Sequence, residues 1–394
     1  MNNAVPLPQN TPEALKNLFQ LDSGIIFLNH GSFGATPKPI FEVFHNWQRK
    51  LESEPVAFLG REIGSYLAEA RSHVAEYVHT NADDIVFIPN TTYGINCIAH
   101  ALQLHSGDEV LATDHEYGAC ERAWRFHGAQ QEIVYKKQPI PLPVVSADDF
   151  IDAFWAGVTS KTKVIFISQI TSPTALIFPV REVCQKARKA GIITVVDGAH
   201  VPGQTALNIT EMDPDFYAGN FHKWLCAPKG SAFLYARKDM QPLLNPLVVS
   251  WGWQSDSPGV SQFQDYFGWA GTDDPSAYLS APAAIQFQQE YDWESVRRRC
   301  RITLQEIRAN LHELLQTAPI APDSEVWWQQ MAAVPLPERA PQDLQQQLFQ
   351  RYHIEVPVFK WNNQRFIRVS VQGYNSPEDG AALLNALKQI LASA

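Results

Sequence analysis

From about residue 80, short apolar runs rich in β-branched residues alternate with longer helical patterns. The runs are DDIVFIP around Ile85, DEVLATD around Val110, KVIFISQI around Ile165, GIITVVD around Val195 and GSAFLYAR around Phe233. Several are apolar almost throughout, the pattern of strands covered on both faces in a parallel or mostly parallel sheet. Between them lie stretches such as VREVCQKARKA, Val180 to Ala190, followed by Gly191 where a helix C-cap belongs. Strand, helix, strand repeated in this way predicts an α/β fold with helices on the faces of the sheet.

The alternation stops between about Pro242 and Pro282, where VVSWGWQSDSPGVSQFQDYFGWAGTDDPSAYL reads as loops and short pieces, long enough to be functional. A long helical pattern follows, roughly Ala283 to Gln316. After it come a strand-like EVWWQQMAAVPL, a helix near Asp343 to Tyr352, a strand FIRVSV and a last helix from Glu378. The expected organisation is an N-terminal segment (1–30), a large domain (31–280) and a smaller C-terminal α/β domain (281–394). Repeats, low-complexity tracts and heptads are absent.

The 394 residues are enough for a substantial core without disulfides or structural metal. With 31 basic against 41 acidic residues the net charge is −10, which repels phosphate backbones and removes the footing for general nucleic-acid binding. Five cysteines without a C-x-x-C pair do not form a disulfide framework or a zinc ribbon, so a reducing, cytoplasmic setting is expected and no metal. No apolar run approaches the ~20 residues that span a bilayer. The N-terminal MNNAVPLPQNTPEALKNLF lacks the basic start and apolar stretch of a signal peptide.

Nucleotide-type phosphate loops, H-E-x-x-H and the G-x-S-x-G elbow are missing. Three places stand out because polar residues follow apolar strands directly, where open α/β sheets build their sites. Asn90-Thr91-Thr92-Tyr93-Gly94 sits before a helical stretch and could hold an anion or merely cap the helix. Asp197-Gly198-Ala199-His200 could serve a cofactor or a metal, or could cap. Lys223, in Asn220-Phe221-His222-Lys223-Trp224, is either a solvated loop lysine or a desolvated amine with a lowered pKa. Each alone is ambiguous. Together they match the needs of pyridoxal 5′-phosphate: a helix N-terminus for the phosphate, an acid for the ring nitrogen and a lysine for the aldehyde.

The same residues resemble the class V aminotransferase family of fold-type-I pyridoxal phosphate enzymes, and most of all its isopenicillin N epimerase-like branch. The resemblance rests on FLNHGSFGATP from Phe27, NTTYGIN from Asn90, DHEYGAC from Asp114 and VDGAHVPGQ from Val196. It continues through DFYAGNFHKWLCAPKG from Asp215, AGTDD from Ala270 and RVSVQGYNSPED from Arg368. It implies that 31–280 is the cofactor-binding domain. Lys223 forms the Schiff base, Asp197 pairs with the pyridinium, and His200 and Gln169 lie near the phenolic oxygen. Tyr117 stacks on the ring where relatives commonly carry histidine. Thr91, Thr92, Asn220 and His222 hold the phosphate. Thr272 reaches the phosphate of a neighbouring subunit, which implies a homodimer with shared sites. Arg368 grips the substrate α-carboxylate. Asn29 and His30 belong to a substrate-side element, and Arg61 either faces the site or makes a surface salt bridge. Cys120 and Cys226 are expected to be structural.

Cysteine desulfurases of this superfamily carry a catalytic cysteine shortly before the carboxylate-binding arginine. Here HIEVPVFKWNNQRFIR, His353 to Arg368, has none, which disfavours a persulfide-forming desulfurase. The implied reaction is removal of the Cα proton of an amino acid or amino-acid-like substrate by Lys223. Epimerisation stands first, C–S β-elimination beside it and transamination third. A pyridoxal phosphate-fold protein with little turnover is the alternative from another class. Intact Lys223, Asp197 and Arg368 count against it.

Overall fold

A computed structural model describes residues 9–392. Seven strands form the central sheet, in the order Ile85–Ile88, Ala232–Ala236, Phe216–Asn220, Ile193–Asp197, Thr162–Ser168, Glu109–Thr113 and Val134–Gln138. The Ala232–Ala236 strand is antiparallel to both its neighbours, and every other pairing is parallel. Alternate residues of one strand enter different cores: Ile165 and Ile167 pack on one face, Val164 and Phe166 on the other. Two covered faces account for the unbroken apolar runs. The Val134–Gln138 strand escapes sequence reading because it is an edge carrying Lys136 and Lys137, the kind of residue that blunts an exposed strand.

The C-terminal part builds a three-stranded antiparallel sheet, Val358–Trp361, Gln364–Ser370 and Met331–Pro335, backed by Trp293–Leu315 and Pro377–Ala392. The single helical pattern expected over 283–316 is two helices, Ala281–Glu290 and Trp293–Leu315. Asp292 breaks it in the left-handed region (φ 47°) and caps the second helix through Ser295. EVWWQQMAAVPL forms a strand only from Met331. Ile26–Phe27 pairs in parallel with Ile354–Glu355, so the N-terminal chain is stitched to the C-terminal part. Among the described residues, no helix is long and apolar enough to cross a membrane.

Candidate functional site

Five strands that run in the same direction, the edge strand Ile85–Ile88 among them, deliver their following residues to one cavity of about 470 Å³. Asn90, Thr91 and Thr92 come after Ile85–Ile88, Tyr117 after Glu109–Thr113, and Ser168 ends Thr162–Ser168. Asp197 ends Ile193–Asp197, with Ala199 and His200 beyond it. Asn220, His222 and Lys223 follow Phe216–Asn220. Ser32 and Phe33, from the short His30–Phe33 helix, also line the cavity.

Asn90 caps the Thr91–Ala101 helix by accepting from Tyr93 N at 2.9 Å. Asn220 Oδ1 accepts from both the Thr91 amide and hydroxyl, at 2.9 and 3.1 Å, fixing the first helical turn against the Phe216–Asn220 strand. His222 Nδ1 lies 2.9 Å from Ser231 O. A carbonyl only accepts, so the proton sits on Nδ1. Burial, then the Lys223 charge, hold this imidazole down to about 4 and therefore neutral.

Asp197 is buried. Burial pushes its carboxyl up, against the pull of the Ala199 N–H on Oδ1 (2.9 Å) and the nearby Lys223 charge. Its other oxygen meets only the Cys120 thiol, 3.6 Å away. Burial lowers Lys223 to about 8, with Asp197 acting against that shift and Arg368 adding to it. The amine lies 3.2 Å from His200 Nε2. Gly34 lets the chain after His30–Phe33 pack against the backbone of His222 and Lys223: it takes φ +70°, and a Cβ there would come within 2.1 Å of His222 O.

Arg368 is also buried. It donates to Ser172 O at 2.6 Å and to Ser32 Oγ at 3.0 Å, and its Nε has no partner. Burial brings it down to about 10. Ser32 in turn donates to Asn29 Oδ1 at 2.5 Å, so Asn29 acts on the guanidinium through Ser32. A buried guanidinium held only by neutral oxygens is a receptor for an anion such as a carboxylate.

Other expected residues sit elsewhere. His30 is buried against the backbone of Lys223, with Nε2 2.9 Å from the lysine carbonyl and Nδ1 2.9 Å from the Tyr374 hydroxyl. Gln169 turns away from the cavity and accepts from Tyr217 Oη at 2.9 Å. Thr272 is exposed and lines a separate apolar groove with Leu59, Ile63 and Trp269. Arg61 is on the surface, 2.8 Å from Glu54, which is the salt-bridge alternative.

Cys120, expected only to be structural, bonds Asp197, and its neighbour Glu116 in DHEYGAC, which the sequence did not single out, is buried beside the same cavity. Glu116 accepts from Ser168 N (2.9 Å) and Ser168 Oγ (2.5 Å) and pairs with Thr113 Oγ1 at 2.6 Å. Burial lifts it to about 8, so it is a neutral acid at pH 7. For Glu116, the place just past the Glu109–Thr113 strand was the one available signal.

Residues 36–383 match the family described as aminotransferase class-V. The chain belongs to the aminotransferase class-V family. Pyridoxal 5′-phosphate is the cofactor of this class, and the residues present fit it. Asp197 is a buried carboxylate short of a cationic partner, Lys223 is a desolvated amine, and a capped helix N-terminus faces the same cavity. The chain is 32% identical to isopenicillin N epimerase of Amycolatopsis lactamdurans, over 94% of this chain and 96% of that one. It is 29% identical to a putative L-cysteine desulfhydrase 1 of Oryza sativa subsp. japonica, over 94% and 84%. The fold matches the cysteine desulfurase of Thermococcus onnurineus NA1 with a TM-score of 0.83, covering 99% of this chain and 100% of that one at 19% identity. At that identity the likeness speaks for the fold alone.

Proposed function

We propose that this class-V protein is a pyridoxal phosphate-dependent enzyme that removes the Cα proton of an amino-acid substrate and returns it, as an epimerase or racemase does. The observation carrying this reading is the Lys223 amine, buried in the cavity with its pKa down to about 8, where Tyr117, Asp197 and Arg368 also converge. When bound, the cofactor supplies an electron sink for the charge left on Cα. Lys223 holds the cofactor aldehyde and, once released, takes the proton. Asp197 keeps the ring nitrogen protonated. Thr91, Thr92, Asn220 and His222 hold the phosphate, and an anion beside His222 Nε2 draws a proton onto that imidazole. Arg368, positioned by Ser32 and Ser172, fixes the α-carboxylate and so the orientation of the Cα–H bond. His200 serves the phenolic oxygen, and Tyr117 offers a ring for stacking.

Epimerisation needs a second proton carrier. His30 is committed to the Lys223 backbone, which leaves Tyr117, half-exposed at the cavity, for that role. C–S β-elimination is the second reading. It is favoured by the same arrangement, because elimination requires only Lys223 as base. A persulfide-forming desulfurase fits less well. Asn362 and Asn363 make a tight left-handed turn where a cysteine loop is needed, and Trp361 and Asn362 tie that hairpin to Asp114 at 2.8 and 2.6 Å.

A homodimer completes the reading, with Thr272 serving the neighbouring site. Its support is an irregular segment that exposes Trp251 (84%) and Val249 (64%) beside the groove Thr272 lines. All five cysteines are buried and unpaired, in keeping with a cytoplasmic setting.

Proton NMR in deuterated water with L- and D-amino acids, cystine and sulfur-linked conjugates tests the reading. Loss of an α-proton signal with the carbon skeleton intact, and its slowing in Tyr117→Phe only for one enantiomer, supports epimerisation. Release of pyruvate and a sulfur product moves the assignment to the lyase. Unchanged exchange in Lys223→Ala overturns both.

A further inference from the structure

Trp224 follows the lysine directly and is fully buried. Its ring is wedged between the His30 ring, 5.2 Å away, and Gly31, where a Cβ would come within 3.3 Å of Cζ2. Its carbonyl accepts from Gln288 Nε2 at 2.9 Å. The indole N–H therefore has one fixed direction, and it meets His200 Nδ1 at 3.2 Å.

An indole nitrogen can only donate, so His200 Nδ1 must present its lone pair. A neutral imidazole with Nδ1 bare carries its proton on Nε2, and that nitrogen lies 3.2 Å from Lys223 Nζ. An N–H pointing at an amine is satisfied only when the amine keeps its own lone pair. We propose that Trp224 is a positioning residue: it locks His200 in the Nε2–H tautomer, which makes the imidazole a donor to Lys223 and favours the neutral, nucleophilic amine. The proposal rests on the reading of Lys223 as the cofactor-bearing lysine, and adds what prepares it.

Two other groups facing Lys223 act through charge. Asp197, at the end of Ile193–Asp197, favours the ammonium, whereas Arg368 from Gln364–Ser370 disfavours it. The Cys120 thiol, from Gly118–Gln131, is held protonated by burial and so adds no charge. His200 is itself neutral, since burial and then the Lys223 and Arg368 charges hold it well below its ordinary value. Among the described residues, only the Trp224–His200 pair exerts its effect through the direction of a hydrogen bond, so its contribution is separable by substitution.

The test uses the full-length apo protein and pyridoxal phosphate, with covalent capture followed by absorbance across pH 6 to 10. In Trp224→Phe the pH of half-maximal capture rate is expected to rise by about one unit, a roughly tenfold slower capture at pH 7. In a His200→Gln background the glutamine amide donates without help from the indole, so adding Trp224→Phe shifts the profile no further. An equal shift in both backgrounds would mean a merely structural role and overturn the proposal, as would no shift in the His200 protein. Nitrogen NMR of histidine-labelled wild-type protein, with His200 assigned by its loss in His200→Gln, decides the matter even where Trp224→Phe does not fold. A protonated Nε2 and bare Nδ1 are expected, and the reverse tautomer refutes the lock. Covalent capture by Lys223→Met would instead sink the underlying assignment of the lysine, whatever Trp224 does.

Discussion

The Cys120 thiol faces the Asp197 carboxylate, Sγ to Oδ2 at 3.6 Å, from the first turn of the Gly118–Gln131 helix. Burial, then the Asp197 charge, push this thiol well above its ordinary value, so it stays protonated and donates. The carboxylate assigned to the ring nitrogen thus has two donors, a backbone N–H and a thiol.

Cys120→Ala removes one of those donors and drives the Asp197 carboxyl further up, weakening its grip on a pyridinium. Pyridoxal phosphate affinity should fall about three- to tenfold, matching the ~1 kcal/mol of one hydrogen bond. Cys120→Ser should stay closer to wild type. Titration of the apo protein followed by tryptophan fluorescence reads both.

Two buried groups give the apo protein opposite pH slopes. Glu116 has a folded pKa of about 8 against 4.5 in the unfolded chain, so the folded state binds more protons between those values and stability falls as pH rises through that window. Lys223 has about 8 against 10.5, so the unfolded chain binds more protons between 8 and 10.5 and stability rises there. Lys223→Met should therefore be more stable than wild type at pH 7, by roughly 3 kcal/mol, with the gain vanishing above about pH 10.5. Glu116→Gln should flatten the acid-side slope. Urea unfolding at a series of pH values checks each sign.

Arg368→Lys keeps the charge and loses the planar fork. Substrate KM should rise about 10- to 100-fold, in line with the ~1.5–3 kcal/mol of a charged hydrogen bond. Exchange of the α-proton under saturating substrate should also slow, because a point charge orients the carboxylate poorly. Steady-state and deuterium-exchange kinetics on one preparation separate the two effects.

Thr272→Glu places a carboxylate where the neighbouring subunit's phosphate is proposed to lie, and should abolish cofactor retention. Mixing it with Lys223→Ala, also inactive, should restore activity, since each mixed dimer then holds one site with both residues intact. Activity that stays at background after subunit exchange would show that Thr272 serves its own chain or none.

The apolar runs determined the α/β class, because a strand buried on both faces has no polar side to interrupt it. The order of Asn90, Asp197 and Lys223 along the chain was enough to name the cofactor, since each follows a run whose carboxyl end is where such sheets build sites. Sequence could not tell which of the neighbouring polar residues turn inward. Gln169 and His30 lie in motifs as suggestive as His200's, yet one bonds Tyr217 and the other holds the Lys223 backbone. The reverse holds for Cys120 and Ser32, ordinary in sequence and placed on Asp197 and Arg368 by helices whose packing is set by distant residues. Hydrogen-bond direction was further out of reach. The proton of His200 is placed by Trp224 and Lys223 approaching from opposite sides, and a proton's position follows from its neighbours in space, which only the tertiary structure decides.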